Sequence, residues 1–352
     1  MKLTFRWFGE NDPVTLKSIK QIPGMKGIVS AIYDVPVGEV WSIEKIELLK
    51  KSIQDQGMEL SVIESVPVHE DIKLRRGNYK RYIDNYKKTI ENLGNAGIET
   101  ICYNFMPIFD WTRTQLSYIL DDESSALALF EEDLAEIDPR NGILNLPGWD
   151  ESYNKEEINE LISVYENISK EKLWENLELF INEIMIIADK VKVKMAIHPD
   201  DPPWDIFGIP RLISTYEDYT KFLSINDSIN HGITFCSGSL GCRPDNDLLK
   251  FVKKFSTEMK RVHFVHLRNI KQLGNRSFTE VAHLSECGSI DFYEIIKELI
   301  LGGYDGPFRP DHGRMIWGES GRPGYGLYDR ALGATYLNGL IEAINKQRGD
   351  KI

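Results

Sequence analysis

Four side chains able to bind a metal stand in short, widely separated segments: His198 in HPDDPP, Cys236 in FCSGS, His266 in VHLRN and Asp311 in RPDHGR. Two imidazoles, a thiol and a carboxylate combine soft and hard donors, a set that suits Mn(II), Fe(II) or Zn(II) better than Mg(II). Taken singly, each has an ordinary explanation. A histidine at a strand end is more often a hydrogen-bonded core residue, a strand cysteine a small buried apolar one, and an aspartate before His-Gly a turn former. Four of them ending four consecutive strands point instead to one divalent site. Four protein donors would close a tetrahedral structural zinc site, whereas a five- or six-coordinate ion keeps positions for substrate oxygens; the sequence leaves both open.

Other reactive groups flank these four. RPDHGR brings Arg309, His312 and Arg314 around Asp311, and Arg268 follows His266. Arginines hold carboxylates bidentately, and an imidazole titrates near neutral pH as a general acid or base must, so Arg268, Arg309 and Arg314 are expected to bind substrate. For each arginine a salt bridge within the protein is an equally good account. The glycine-rich WGESGRPGYGLYDR places Tyr325 between two glycines, as a catalytic group or an aromatic lid. It is not a nucleotide loop, because no Lys-Ser/Thr follows. His263 and His266 are an odd number of residues apart on one strand and face opposite ways; His266, nearer the carboxyl end, is taken as the ligand and His263 as structural.

The elements that position these residues alternate between β and α patterns. Strands are expected at 3–7, 27–32, 59–64, 99–104, 193–198, 231–236, 261–267 and 307–311. Helices fall between them: at 172–190, where Leu173, Leu177, Phe180, Ile184, Ile187 and Ala188 form a stripe; after Phe292, stopped by Gly302-Gly303; and in the last segment, on Leu332, Tyr336, Leu337, Leu340, Ile341 and Ile344. Asp12 before Pro13, and Ser42, read as helix starts. Eight strand–helix units imply an α/β fold, a closed (β/α)8 TIM barrel whose strand ends share one mouth. A doubly wound sheet is the alternative, but no G-x-G-x-x-G follows an early strand. Residues 105–171 exceed what one crossover needs. They are read as a helical or irregular insertion between strands 4 and 5, within a single domain spanning 1–352. Trp41, Trp111 and Trp149 stand in turn text, for a substrate rim, an interface or the core.

Composition narrows the partners. A net charge of −12 argues against a nucleic-acid scaffold, which needs a basic footprint. No apolar run reaches the ~18–20 residues of a membrane span, and the MKLTFRWFGE start lacks the pattern of a secretory signal. Four unpaired cysteines favour reduced thiols and a cytoplasmic location. A homo-oligomer stays open.

With these residues assembled, the chain resembles the mannonate dehydratase family of the xylose-isomerase-like barrels. FRWFGENDPV, DVPVGEVW, NGILNLPGW, HPDDPP, FCSGS, HLRN and RPDHGR carry the resemblance along the whole chain. The resemblance implies a hydro-lyase that converts D-mannonate to 2-keto-3-deoxy-D-gluconate in hexuronate breakdown, with Mn(II) or Fe(II). It places the metal ligands on His198, Cys236, His266 and Asp311, and the acid–base pair on His312 and Tyr325, without saying which is acid and which base. A sugar isomerase or epimerase on the same barrel is the nearest rival. A metal-dependent DNA-repair endonuclease and a binding module with a structural metal are the others.

Overall fold

The computed structural model describes residues 1–141 and 155–349. The NGILNLPGW text from residue 142 onward, with Trp149, lies outside them. Eight parallel strands form as expected: Lys2–Arg6, Gly27–Ser30, Glu59–Glu64, Thr100–Tyr103, Lys194–Ile197, His231–Cys236, Val262–Leu267 and Pro307–Pro310. They pair in chain order, and the first closes on the last through Lys2↔Pro307 and Leu3↔Phe308. The expected TIM barrel is therefore the observed one. HGITFC and VHFVHL are buried along their entire length. That is how a strand covered on both faces reads, since helices pack outside and side chains fill the inside. Val29, Val62, Cys102, Ala196 and Phe264 form the inner plug.

Helices wrap the outside wherever the 3.6-residue pattern is strongest. Lys170–Val191 buries Leu173, Leu177, Phe180, Ile184 and Ala188, and Ser169 caps it by accepting from the Lys172 N–H. Ser42 caps Ile43–Gln54 in the same way. Phe292–Leu301 ends at Gly302, and Gly303 then takes a positive φ of 75° that glycine adopts without strain. Two expectations are corrected. Asp12 starts no helix: its carboxylate accepts from the Phe8 and Val14 N–H groups in a loop turn, and the short helix Leu16–Lys20 is capped by Thr15. Leu332 is 47% exposed, because the last helix, Tyr328–Arg348, turns Ala334, Leu337 and Ile344 inward instead.

The stretch between the fourth and fifth strands holds the helices Glu131–Glu136 and Lys155–Tyr165, and also a β-hairpin that the sequence reading did not foresee. Its strands, Gln115–Ile119 and Ser125–Leu129, join Ser277–Glu280 and Ile270–Gly274 in a four-stranded antiparallel sheet. Half of that sheet follows the fourth barrel strand and half follows the seventh. It stands beside the barrel mouth, and it carries side chains into the site.

Candidate active site

Parallel register brings the reactive side chains together. Cys236 lies opposite His266, and His266 opposite Arg309, so three neighbouring strands present these residues at one level. His198 and Asp311 each stand one residue beyond a strand, and the pairing continues through them: the His198 N–H donates to the Tyr103 carbonyl at 2.7 Å and the Asp311 N–H to the Leu267 carbonyl at 3.3 Å. His198 Nε2 is 3.2 Å from His266 Nδ1, which is 3.7 Å from Asp311 Oδ1; Cys236 Sγ is 3.6 Å from Asp311 Oδ2. His198, Cys236 and His266 each offer a ligand atom within 4.8 Å of the others. Three of the four residues singled out from their spacing thus converge, and Asp311 lies beside two of them.

The donor set fits a cation. His198 Nδ1 lies 2.7 Å from the Pro199 carbonyl, which can only accept, so Nδ1 carries the proton and Nε2 turns its lone pair to the cluster. Ser239 directs both its N–H, at 3.4 Å, and its hydroxyl, at 3.1 Å, onto the Cys236 sulfur. Burial opposes charge on His198, yet its hydrogen bond to Cys236 and the nearby Cys236, Glu64 and Asp311 lift it to about 9. Surroundings that hold a proton on a buried imidazole at neutral pH are surroundings that stabilise a positive ion at the same place. Behind the cluster, His266 Nε2 faces Glu64 Oε1 at 3.5 Å, the carboxylate that commonly backs a ligating imidazole.

A second group adjoins the first. His312 Nε2 is 2.9 Å from the Tyr325 hydroxyl, and His312 Nδ1 lies 2.9 and 3.0 Å from the two oxygens of Glu280. Burial pushes the Tyr325 phenol well above its usual range, against the pull of Arg309 and Arg6, which exceeds the opposing push of Asp311 and Glu64. Glu280 is itself gripped from behind. Arg113 reaches it at 2.8 Å and Asp201 at 2.7 Å, while Arg268 bonds Glu280 and reaches Asp201 at 2.8 Å and Asp311 at 3.3 Å. All four members of this network are 3% exposed or less.

Both groups open on a cavity of about 1190 Å³ formed by the described residues. His198, Asp311, His312, Tyr325, Arg309, Arg6, Glu64 and Trp111 are among its walls. Arg309 reaches Glu64 at 3.1 Å and Asp311 at 2.7 Å, while its Nε and Nη1 have no hydrogen-bond partner among the described residues. Burial disfavours the Glu64 carboxylate, but Arg309, His266 and Arg6, with His198, more than offset it and hold the group at about 2. Arg268 and Arg314 do not line the cavity. Arg268 serves the carboxylate network, and Arg314 is held by Asp329 at 2.8 Å and by Asp122. Of the three arginines read as substrate-binding, the structure brings only Arg309 to the cavity wall. His263 is buried away from the cluster, and burial together with Lys194 and Arg261 lowers it to about 3. Trp41 is 2% exposed in the core, whereas Trp111 packs at a tilt against His312 with ring centres 5.1 Å apart.

The family model for D-mannonate dehydratase (UxuA) matches residues 1–351. The chain belongs to the D-mannonate dehydratase family. The mannonate dehydratase of Oceanobacillus iheyensis is 57% identical over 344 residues, covering 98% of each chain. That of Streptococcus uberis is 58% identical over 346 residues, covering 98% of this chain and 99% of its own. The crystal structure of mannonate dehydratase from Streptococcus suis serotype 2 superposes with a TM-score of 0.94 at 50% identity, covering 100% of this chain and 97% of that one. A D-tagatose 3-epimerase-like protein shares 14% identity at a TM-score of 0.55, over 99% of this chain and all of its own, and shows the fold alone. The family resemblance read from the motifs is thus the relationship found.

Sequence reasoning missed Glu280, Arg113, Asp201, Glu64 and Arg6. Glu64 and Arg6 end barrel strands, as the chosen residues do, so the rule that found Cys236 reaches them too. Asp201 stands in the quoted HPDDPP but was passed over for its histidine. Glu280 and Arg113 belong to the side sheet and its approach, and no spacing signals them.

Proposed function

We propose that this chain dehydrates D-mannonate to 2-keto-3-deoxy-D-gluconate and water, a step of hexuronate breakdown in the cytoplasm. One observation carries the reading: a histidine and a tyrosine in hydrogen-bond contact, His312 Nε2 to Tyr325 Oη at 2.9 Å, share a cavity with His198 and Asp311, and His198 converges with Cys236 and His266 as possible metal donors. The chemistry needs both groups. A C–H proton next to a carboxylate is very weakly acidic, and hydroxide is a poor leaving group, so one side chain must take a proton while another gives one.

The residues divide that work by their states. Tyr325, kept protonated by burial, gives its hydroxyl proton to the departing oxygen on carbon 3. His312 Nε2 takes the proton from carbon 2. The two electrons of that C–H bond form the carbon 2–carbon 3 double bond as water leaves, and the resulting enol becomes the ketone. Tyr325 is then a phenolate and His312 an imidazolium at hydrogen-bond distance, and one proton moving from Nε2 to Oη restores both. Arg309, with two nitrogens unpartnered among the described residues, orients the substrate's anionic end. A divalent cation held by His198, Cys236, His266 and Asp311, Mn(II) or Fe(II) for this mixed donor set, supplies the positive charge that lowers the cost of the anion developing next to the carboxylate.

The test is an assay of metal-depleted protein on D-mannonate with Mn(II), Fe(II), Zn(II) and Mg(II) added back separately. Formation of a 2-keto-3-deoxy acid with Mn(II) or Fe(II) is the expected result. A product that retains the full complement of oxygens would make the protein an epimerase or isomerase, and no conversion with any metal would end the reading.

A further inference from the structure

We infer that Glu280 is a positioning residue for this reaction: it fixes the proton of His312 on Nδ1, so that Nε2 meets Tyr325 and the substrate as an acceptor. The inference rests on the reading of His312 and Tyr325 as proton carriers and names a residue that acts through them. An imidazole is symmetric enough to carry its neutral-state proton on either nitrogen, and only one tautomer can accept at Nε2. Glu280 is an acceptor on both oxygens, at 2.9 and 3.0 Å from Nδ1, so whichever way the carboxylate turns it calls for a proton there. Arg268 Nη1 also lies 3.1 Å from Nδ1, but as a donor it is satisfied by Glu280.

The arginines give this placement a sharp consequence. Arg113 reaches Glu280 Oε1 through Nη2 at 2.8 Å and Nε at 3.2 Å, and Arg268 bonds the same oxygen. Three N–H donors on Oε1 admit only an acceptor at that position. In the isosteric Glu280→Gln variant the amide oxygen must occupy it, 2.9 Å from His312 Nδ1 but already taken by those three donors, which leaves the amide NH2 where Oε2 stood, 3.0 Å from Nδ1. A donor there favours the other tautomer, with the proton on Nε2, and the base is lost while every atom keeps its place. In a serine-protease triad the corresponding carboxylate-to-amide change lowers kcat by about 10⁴ through the wrong tautomer.

The decisive experiment compares parent, Glu280→Gln and Glu280→Asp as folded, metal-loaded protein. For the Gln variant, kcat on D-mannonate is expected to fall by about 10²–10⁴, with KM and Mn(II) affinity within about twofold of the parent. Long-range ¹⁵N–¹H correlation on zinc-loaded protein is expected to show the His312 proton on Nδ1 in the parent and on Nε2 in the Gln variant. Asp, a carboxylate one methylene shorter, keeps the parent tautomer and recovers at least tenfold of the loss. Turnover of the Gln variant within threefold of the parent overturns the inference, as does a rate loss with the tautomer unchanged or one accounted for by lost metal. Should the Gln variant not fold, the parent spectrum decides: a proton on Nε2 overturns the assignment, and one on Nδ1 supports it. His312→Asn and Tyr325→Phe, assayed alongside, separate the two levels. If they keep full turnover the proton-carrier reading fails, whereas if they lose it and Glu280→Gln does not, only the role of Glu280 fails.

Discussion

Arg113 offers the most direct test of how the site is held. Its side chain is fully buried and carries two carboxylates, Asp201 at 2.7 Å and Glu280 at 2.8 Å. Replacement by Met preserves much of the volume but removes the charge, leaving two buried anions with only Arg268 between them. Breaking a buried pair from one side costs about 3–5 kcal/mol, because the remaining charge stays desolvated. Glu280 provides an independent figure. Burial alone would raise it, yet His312, Arg268 and Arg113 hold it at about 2 against 4.5 for a free glutamate. At 1.36 kcal/mol per unit that depression corresponds to about 3 kcal/mol, shared among the three partners. The sign follows from the direction of the shift. A carboxylate lowered in the folded state stabilises it above pH 4.5 and loses that contribution as the pH falls toward 2. About 2 kcal/mol of it remain at pH 3.5, a loss of about 1.4 kcal/mol from the neutral-pH value. Urea unfolding of parent and Arg113→Met is therefore expected to differ by about 3–5 kcal/mol at pH 7, with the gap narrowing below pH 4.5. A difference under about 0.5 kcal/mol, or a gap that stays constant down to pH 3.5, would refute the network's role.

Three further outcomes follow from the geometry. Tyr325→Phe removes only the hydroxyl and should lower kcat by about 10²–10⁴ while leaving bound Mn(II), measured by metal analysis after desalting, unchanged. Cys236→Ser, which swaps a soft donor for a weak hard one, should release Mn(II) at least about tenfold more readily with little change in the circular dichroism spectrum. Arg314→Met should weaken stability through the loss of Asp329 yet leave KM for D-mannonate within about twofold; a tenfold rise in KM with stability intact would return Arg314 to the substrate.

The barrel was legible because its strands are buried on both faces and stand out as continuous apolar runs. VHFVHL and HGITFC could be little else. Once the strands are set, geometry does the rest: parallel order sends His198, Cys236, His266 and Asp311 to one end, and register puts Cys236 beside His266. The side sheet escaped notice for the converse reason. In Gln115–Ile119 no residue is fully buried, and hydrophobic patterning reports burial rather than pairing. The Arg113–Asp201–Arg268–Glu280 network is harder still. Each member is a charged residue that sequence alone assigns to solvent or substrate, and only the fold reveals that they neutralise one another. Arg268 and Arg314, read toward substrate, stand on protein carboxylates, since guanidinium groups suit a ligand's carboxylate and a protein's equally well.

The side sheet also bears on when the site can come into being. Arg113 and Glu280 are 167 residues apart, and the hairpin at 115–129 pairs with a strand that leaves the ribosome only after residue 277. An emerging chain can assemble its first four or five strand–helix units and still lack the partner that orients His312. Competence is therefore reached in one late step, when the far half arrives and stitches two distant loops into a common support. A fragment shorter than that can be well folded locally and still inert.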